Sequence, residues 1–112
     1  VSFAAEAYDA VTLAALAAAK AQDDAGRSIA ANLVGVSGGA AGETPAAAAC
    51  STYKDCVAGL GVGTAMNYDG ESGPIAFDAN GDITTAGFSV FTYGPDNLPK
   101  ASGSETAGRA AG

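Results

Sequence analysis

The chain has no histidine and no tryptophan, one methionine, two cysteines, and only five lysines and arginines against twelve acidic residues. Without histidine, no histidine-based triad can form, and neither cysteine has an imidazole to activate it. A zinc site would likewise lack partners, because two thiols alone do not complete a tetrahedral set. The net charge of −7 argues against phosphate backbones and anionic membranes, so no nucleic-acid partner is expected. No apolar run is long enough to span a bilayer, and no charged n-region precedes an apolar h-region. Large apolar side chains are also scarce. Leu, Ile, Val and Phe together number 19 of 112 residues, beside 28 alanines. Alanine buries little area, and at about 25 cal/mol per Å² little area gives little stabilisation.

What is present is locally well patterned. Residues 3–22, FAAEAYDAVTLAALAAAKAQ, contain no Gly or Pro and are rich in helix formers. On a helical wheel Phe3, Ala7, Tyr8, Val11, Ala14 and Ala18 share one side while Leu13 and Leu16 lie opposite. A helix apolar nearly all round is expected to be buried, with alanines allowing close approach. A turn and a short helix from about Ser28 to Leu33 follow, then a Gly/Ala-rich loop over 38–49. Ser51 is the expected N-cap of a helix closing at Gly59 or Gly61. Residues 73–94, GPIAFDANGDITTAGFSVFTYG, read as a hairpin with Asn80-Gly81 in a type I′ turn, both at positive φ. That register sets Ala79 opposite Asp82, Phe77 opposite Thr84 and Ile75 opposite Ala86. One face then holds Ile75, Phe77, Ala86, Phe88 and Val90. Residues 96–112 are expected to be a flexible tail. Two strands alone are marginal in water. Crisp local patterns with too little to pack against fit a piece of a larger domain.

Several stretches invite a chemical reading. Asp78, Asn80 and Asp82 have the opening spacing of a calcium loop, but the glycine falls at position four and Ser89 stands where a bidentate Glu is needed. A hairpin turn explains that stretch better. The run GLGVG at 59–63 lacks the preceding strand and following Lys-Ser/Thr of a phosphate loop. Glu6 and Asp9, three apart on one helix, could pair as acid and base; a solvated or hydrogen-bonded pair is the commoner cause of that spacing. Nothing argues for catalysis or a cofactor. Cys50 and Cys56 are left as a disulfide or as two free thiols.

Taken in order, AEAYDAVTLAALAAAKAQ, IAANLVGVS, CSTYKDC and YDGESGPIAFDANGDITTAGFSVFTYG resemble the C-terminal portion of type I periplasmic binding proteins. The likeness is strongest to the branched-chain amino-acid class of ABC-transporter substrate-binding proteins and covers residues 1–95. Each motif alone is soft, and the ordered set carries the resemblance. It implies an α/β fold of two lobes joined by three crossing strands, with a small polar solute held in the cleft between them and delivered to a membrane permease. It implies a non-enzymatic, exported protein, extracellular or periplasmic and lipid-anchored in full length, of which this chain is one part. Phe3 falls where members place an aromatic at the cleft, and a plain core anchor is its other reading. Tyr8 and Asp9 match the family's YDA motif as helix packing and capping. Ser89, Val90, Phe91 and Thr92 match the hinge crossing. The family's binders of amino-acid carboxylate and ammonium have no counterpart here. A small secreted protein that self-associates through its hairpin edge, and a sensory ligand-binding domain, are the alternatives.

The cysteine pair is similar to that of exported members, which favours the disulfide over free thiols. A bridge closing so short a loop should add about 2 kcal/mol in the chain-entropy model. Alkylation under denaturing, non-reducing conditions should leave Cys50 and Cys56 unlabelled; two labelled thiols would refute the bridge.

Overall fold

A computed structural model describes residues 2–38 and 47–108. Over them the protein is a mixed helix and strand structure of three helices and two small sheets. The Gly- and Pro-free run becomes α1, Ala4–Ala21, and its last turn carries Lys20 near the exposed carbonyls. The second helix, α2, runs Gly26–Val36, longer at both ends than the sequence signals suggested. The third, α3, spans Tyr53–Gly61 and is capped by Thr52 rather than Ser51, whose neighbour's hydroxyl oxygen accepts from the Asp55 backbone N–H at 3.1 Å. Most of the Gly/Ala-rich loop expected over 38–49 lies outside the described residues.

Flanking α3 are two short strands that no sequence signal announced: β1, Ala48–Cys50, and β2, Met66–Tyr68. They pair in parallel, with Cys50 beside Tyr68, so β1, α3 and β2 form a βαβ unit. The Cys50–Cys56 disulfide joins the end of β1 to the first turn of α3 across a Cα separation of 5.4 Å.

The helices and this sheet enclose one core. Leu13, Leu16 and Ala17 of α1 meet Val36, both cysteines, Met66, Tyr68 and Ile75, with Ile29, Leu33, Val57, Leu60 and Phe77 packed round them. Only half of the expectation for α1 holds. The Leu13/Leu16 side is buried, while Phe3, Tyr8 and Val11 on the other side face solvent, Val11 at 71% exposure.

Residues 75–84 make a short hairpin with a turn unlike the one expected. Gly81 is at φ 87, but Asn80 is absent from the positive-φ residues. The Gly81 N–H donates to the Asp78 carbonyl at 2.9 Å, and the Asp78 N–H donates to the Asp82 carbonyl at 2.9 Å. This is a three-residue loop with glycine in the bulge position. It shifts the register by one, so Phe77 faces Ile83 instead of Thr84. The Asp78 carboxylate stabilises this form by accepting from the backbone N–H groups of Asn80 and Asp82, at 2.9 and 3.0 Å.

The larger correction concerns the tail. Residues 85–93 do not extend the hairpin with 73–79. They form β3, Thr85–Tyr93, which pairs antiparallel with β4, Pro99–Gly108, the segment expected to be flexible. The connecting loop repeats the geometry of the first. The Asn97 N–H donates to the Gly94 carbonyl, the Gly94 N–H donates to the Leu98 carbonyl, and Asn97 takes the left-handed place at φ 64. Every residue of β3 and β4 except Ala86 is exposed. The radius of gyration is 16.2 Å, where a compact domain of this length would give about 13 Å.

The two turn positions should therefore respond differently to mutation. Gly81→Val should cost on the order of 1–2 kcal/mol through left-handed strain. Asn80→Ala, at an exposed position without that strain, should cost about 0.5 kcal/mol or less. Paired denaturant titrations check this; equal costs would restore the type I′ turn.

Candidate functional site

Asp9 is the most deeply embedded charged group among the described residues, 2% exposed in the second turn of α1. A carboxylate out of water needs donors, and the chain brings them from about sixty residues away. The Tyr68 hydroxyl donates to Asp9 Oδ1 at 2.7 Å, and the Glu71 backbone N–H donates to the same oxygen at 3.0 Å. Oδ2 accepts from the Ser72 backbone N–H at 2.7 Å and from the Ser72 hydroxyl. Burial pushes the Asp9 pKa up, but these donors together outweigh it and hold the carboxyl below the usual range. Burial first, then the bond to Asp9, push the Tyr68 phenol up to about 12.

Gly70 makes the approach possible. A Cβ there would collide with Asp9 Oδ1 and the Tyr68 hydroxyl, so only glycine lets the loop after β2 pass over the carboxylate. Beyond it, the Asp69 carboxylate accepts from the Ile75 N–H at 2.8 Å, and the Ser37 hydroxyl oxygen accepts from the Phe77 N–H at 3.1 Å. Residues 69–77 are thus tied to α1, to themselves and to the end of α2. The arrangement is a latch. Its oxygens are occupied by donors and closed to solvent, so Asp9 is placed to hold structure and has no free lone pair aimed at a substrate. Glu6, three residues earlier, is exposed, while Asp9 is buried.

The other sequence-derived positions are scattered. Phe3 precedes α1 in the left-handed region at φ 64 and is 76% exposed, outside the core that the described residues form. Ser89, Val90, Phe91 and Thr92 lie mid-strand in β3, exposed on the ribbon. Asn80 and Gly81 sit in the turn, and Cys50 and Cys56 are bridged. An open hollow of about 390 Å³ lies between the last turns of α1 and α3, lined by Lys20, Gln22, Val57, Leu60 and Thr64 among others. Neither Phe3 nor the hinge positions border it. No group of three or more His, Cys, Asp or Glu side chains that could hold a metal occurs among the described residues. Among the described residues no helix is long and apolar enough to cross a membrane, and a disulfide is compatible with an oxidising, extracellular location. Comparison with family models, with curated proteins and with solved structures returns no match to this chain.

Sequence reasoning placed Asp9 on α1 but missed its partners. The readable signal was the spacing of Tyr68, Gly70 and Ser72, a donor, a gap and a donor on one short stretch.

Removing the latch should be costly and pH-dependent. Asp9→Ala leaves buried donors unpaired and should lose on the order of 3 kcal/mol at pH 7. Because the folded pKa is depressed, Asp9 contributes fully above the unfolded value near 4. That contribution fades as pH falls through the lower folded value. The gap between wild type and Asp9→Ala should therefore be constant above about pH 5 and narrow in acid. Denaturant titrations from pH 2 to 8 would measure it, and a pH-independent gap would deny the carboxylate its role.

Proposed function

We propose that this chain is part of a solute-binding protein that serves an ABC importer, taking a small polar solute such as a branched-chain amino acid in a cleft between two lobes. The observation that carries the reading is the β1–α3–β2 unit, a parallel sheet of only two strands with a crossover helix. Parallel sheets ordinarily occur within larger α/β layers covered on both faces. A two-strand example is what one segment of such a layer looks like on its own. The outer side of α1, with Tyr8 and Val11 in solvent, supports it further, because a second layer would cover that side.

On this reading α1, α2 and α3 belong to one lobe. Ser89 to Thr92 cross toward the other, and closure about the solute is a hinge motion. The disulfide suits an exported protein of this kind. Phe3, exposed at the start of α1, would be one wall of the cleft, and the remaining contacts would come from the rest of the polypeptide.

Calorimetry against leucine, isoleucine and valine should give no binding heat with the 112-residue chain alone. It should give saturable heat with a longer polypeptide that carries the chain in its natural source. Tight binding by the isolated chain would remove the two-lobe mechanism, and no binding by either would remove the reading.

A further inference from the structure

The two outer edges of the β3–β4 ribbon are built differently. Strand β4 begins at Pro99, carries Lys100 and Glu105, and is interrupted by a bulge. Val90 pairs with Gly103 and Phe91 with Ala101, so Ser102 is the extra residue. Proline, charge and bulges are the devices by which proteins blunt an exposed edge. Strand β3, Thr-Ala-Gly-Phe-Ser-Val-Phe-Thr-Tyr, has none of them. It is uncharged, rich in aromatic and β-branched residues, and its outer edge carries no further strand among the described residues. One edge is closed and the other is open.

We propose that the open edge of β3 pairs with β3 of a second copy, antiparallel about a two-fold axis at Ser89, giving a continuous four-stranded sheet. The strand is self-complementary in that register. Phe88 falls opposite Val90 of the other copy, an aromatic against a β-branched side chain on one face. On the other face Gly87 falls opposite Phe91, so the aromatic ring covers the bare glycine backbone. Ala86 meets Thr92 and Thr85 meets Tyr93 at the ends. No charge is brought against a like charge, although each chain carries −7 overall, because β3 holds none of it. Phe88, Val90, Phe91 and Tyr93, exposed in the single chain, gain cover together. The interface is isologous and closes at two copies, since the outer edges of the combined sheet are the blunted β4 strands.

Placing Ser89 on the axis makes the register testable, because a side chain there faces its own copy. Sedimentation equilibrium of the 112-residue chain over a range of concentrations should show monomer and dimer exchanging. Ser89→Lys and Ser89→Glu should each move dimerisation to at least tenfold higher concentration, and their equimolar mixture should restore it. Recovery in the mixture also separates lost pairing from lost folding, since two unfolded variants would not rescue each other. A wild type that stays monomeric would overturn the proposal. So would variants that associate as the wild type does, or a mixture no tighter than either variant alone. A monomeric wild type leaves the solute-binding reading standing, and absent solute binding leaves the dimer standing.

Discussion

A single buried carboxylate organises this chain. Asp9 is the point at which α1, the end of β2 and the loop leading to the ribbon are held together. Its position is costly to desolvate, and only a full set of donors makes it tolerable. Those donors are both side chain and backbone, so satisfying the charge also fixes the path of residues 68–72. Once that path is fixed, Ile75 enters the core and Phe77 reaches the Ser37 hydroxyl at the end of α2. The polar latch thus does for this loop what apolar burial does elsewhere, and the alanine-rich composition explains the need. With so few large side chains, a loop of Asp, Gly, Glu and Ser has little apolar area to anchor it.

The disulfide and the latch divide the work. Cys50 and Cys56 tie the start of α3 to β1, while Asp9 ties the far side of β2 to α1. Between them they constrain both strands of a two-strand parallel sheet that hydrogen bonding alone would hold weakly. Tyr68 takes part in both arrangements. Its backbone pairs beside Cys50, and its hydroxyl reaches Asp9. Because the folded phenol is raised to about 12, its contribution is complete below its ordinary value near 10 and declines as pH rises through the folded value. The latch is therefore weakened at both pH extremes and intact between them.

The legible and illegible parts of the sequence divide along range. The existence of α1 followed from an unbroken run of helix formers, and a turn near Gly81 followed from Asn-Gly; both signals are local. The turn type was missed because the Asp78 carboxylate, capping two N–H groups, favours the three-residue loop over the two-residue one. Strands β1 and β2 are three residues each, too short to show a period. Strand β4 is polar and rich in Gly, Ser and Ala, so no alternation of apolar residues marks it. Its signal lay in the loop before it, Gly94-Pro95-Asp96-Asn97, where proline suits the first turn position and asparagine tolerates the left-handed one. The buried role of Asp9 depends on contacts about sixty residues distant and could not be read from α1 itself.

That division also explains why the chain holds its core and exposes its ribbon. The core closes where long-range polar ties recruit side chains to it, from Leu13 on α1 to Ile75 beyond the latch. Past Phe77, the side-chain hydrogen bonds that involve Asn80, Asp82, Thr84, Leu98 and Ser102 stay within the hairpins. Strand β3 nevertheless places Phe88, Val90, Phe91 and Tyr93 in solvent along one uncharged strand. A two-strand ribbon with both faces wet is marginal in water, and here Phe88 and Val90 lie on one of those faces, Phe91 and Tyr93 on the other. The core is specified from within the chain, while the large side chains of β3 are left uncovered by it among the described residues.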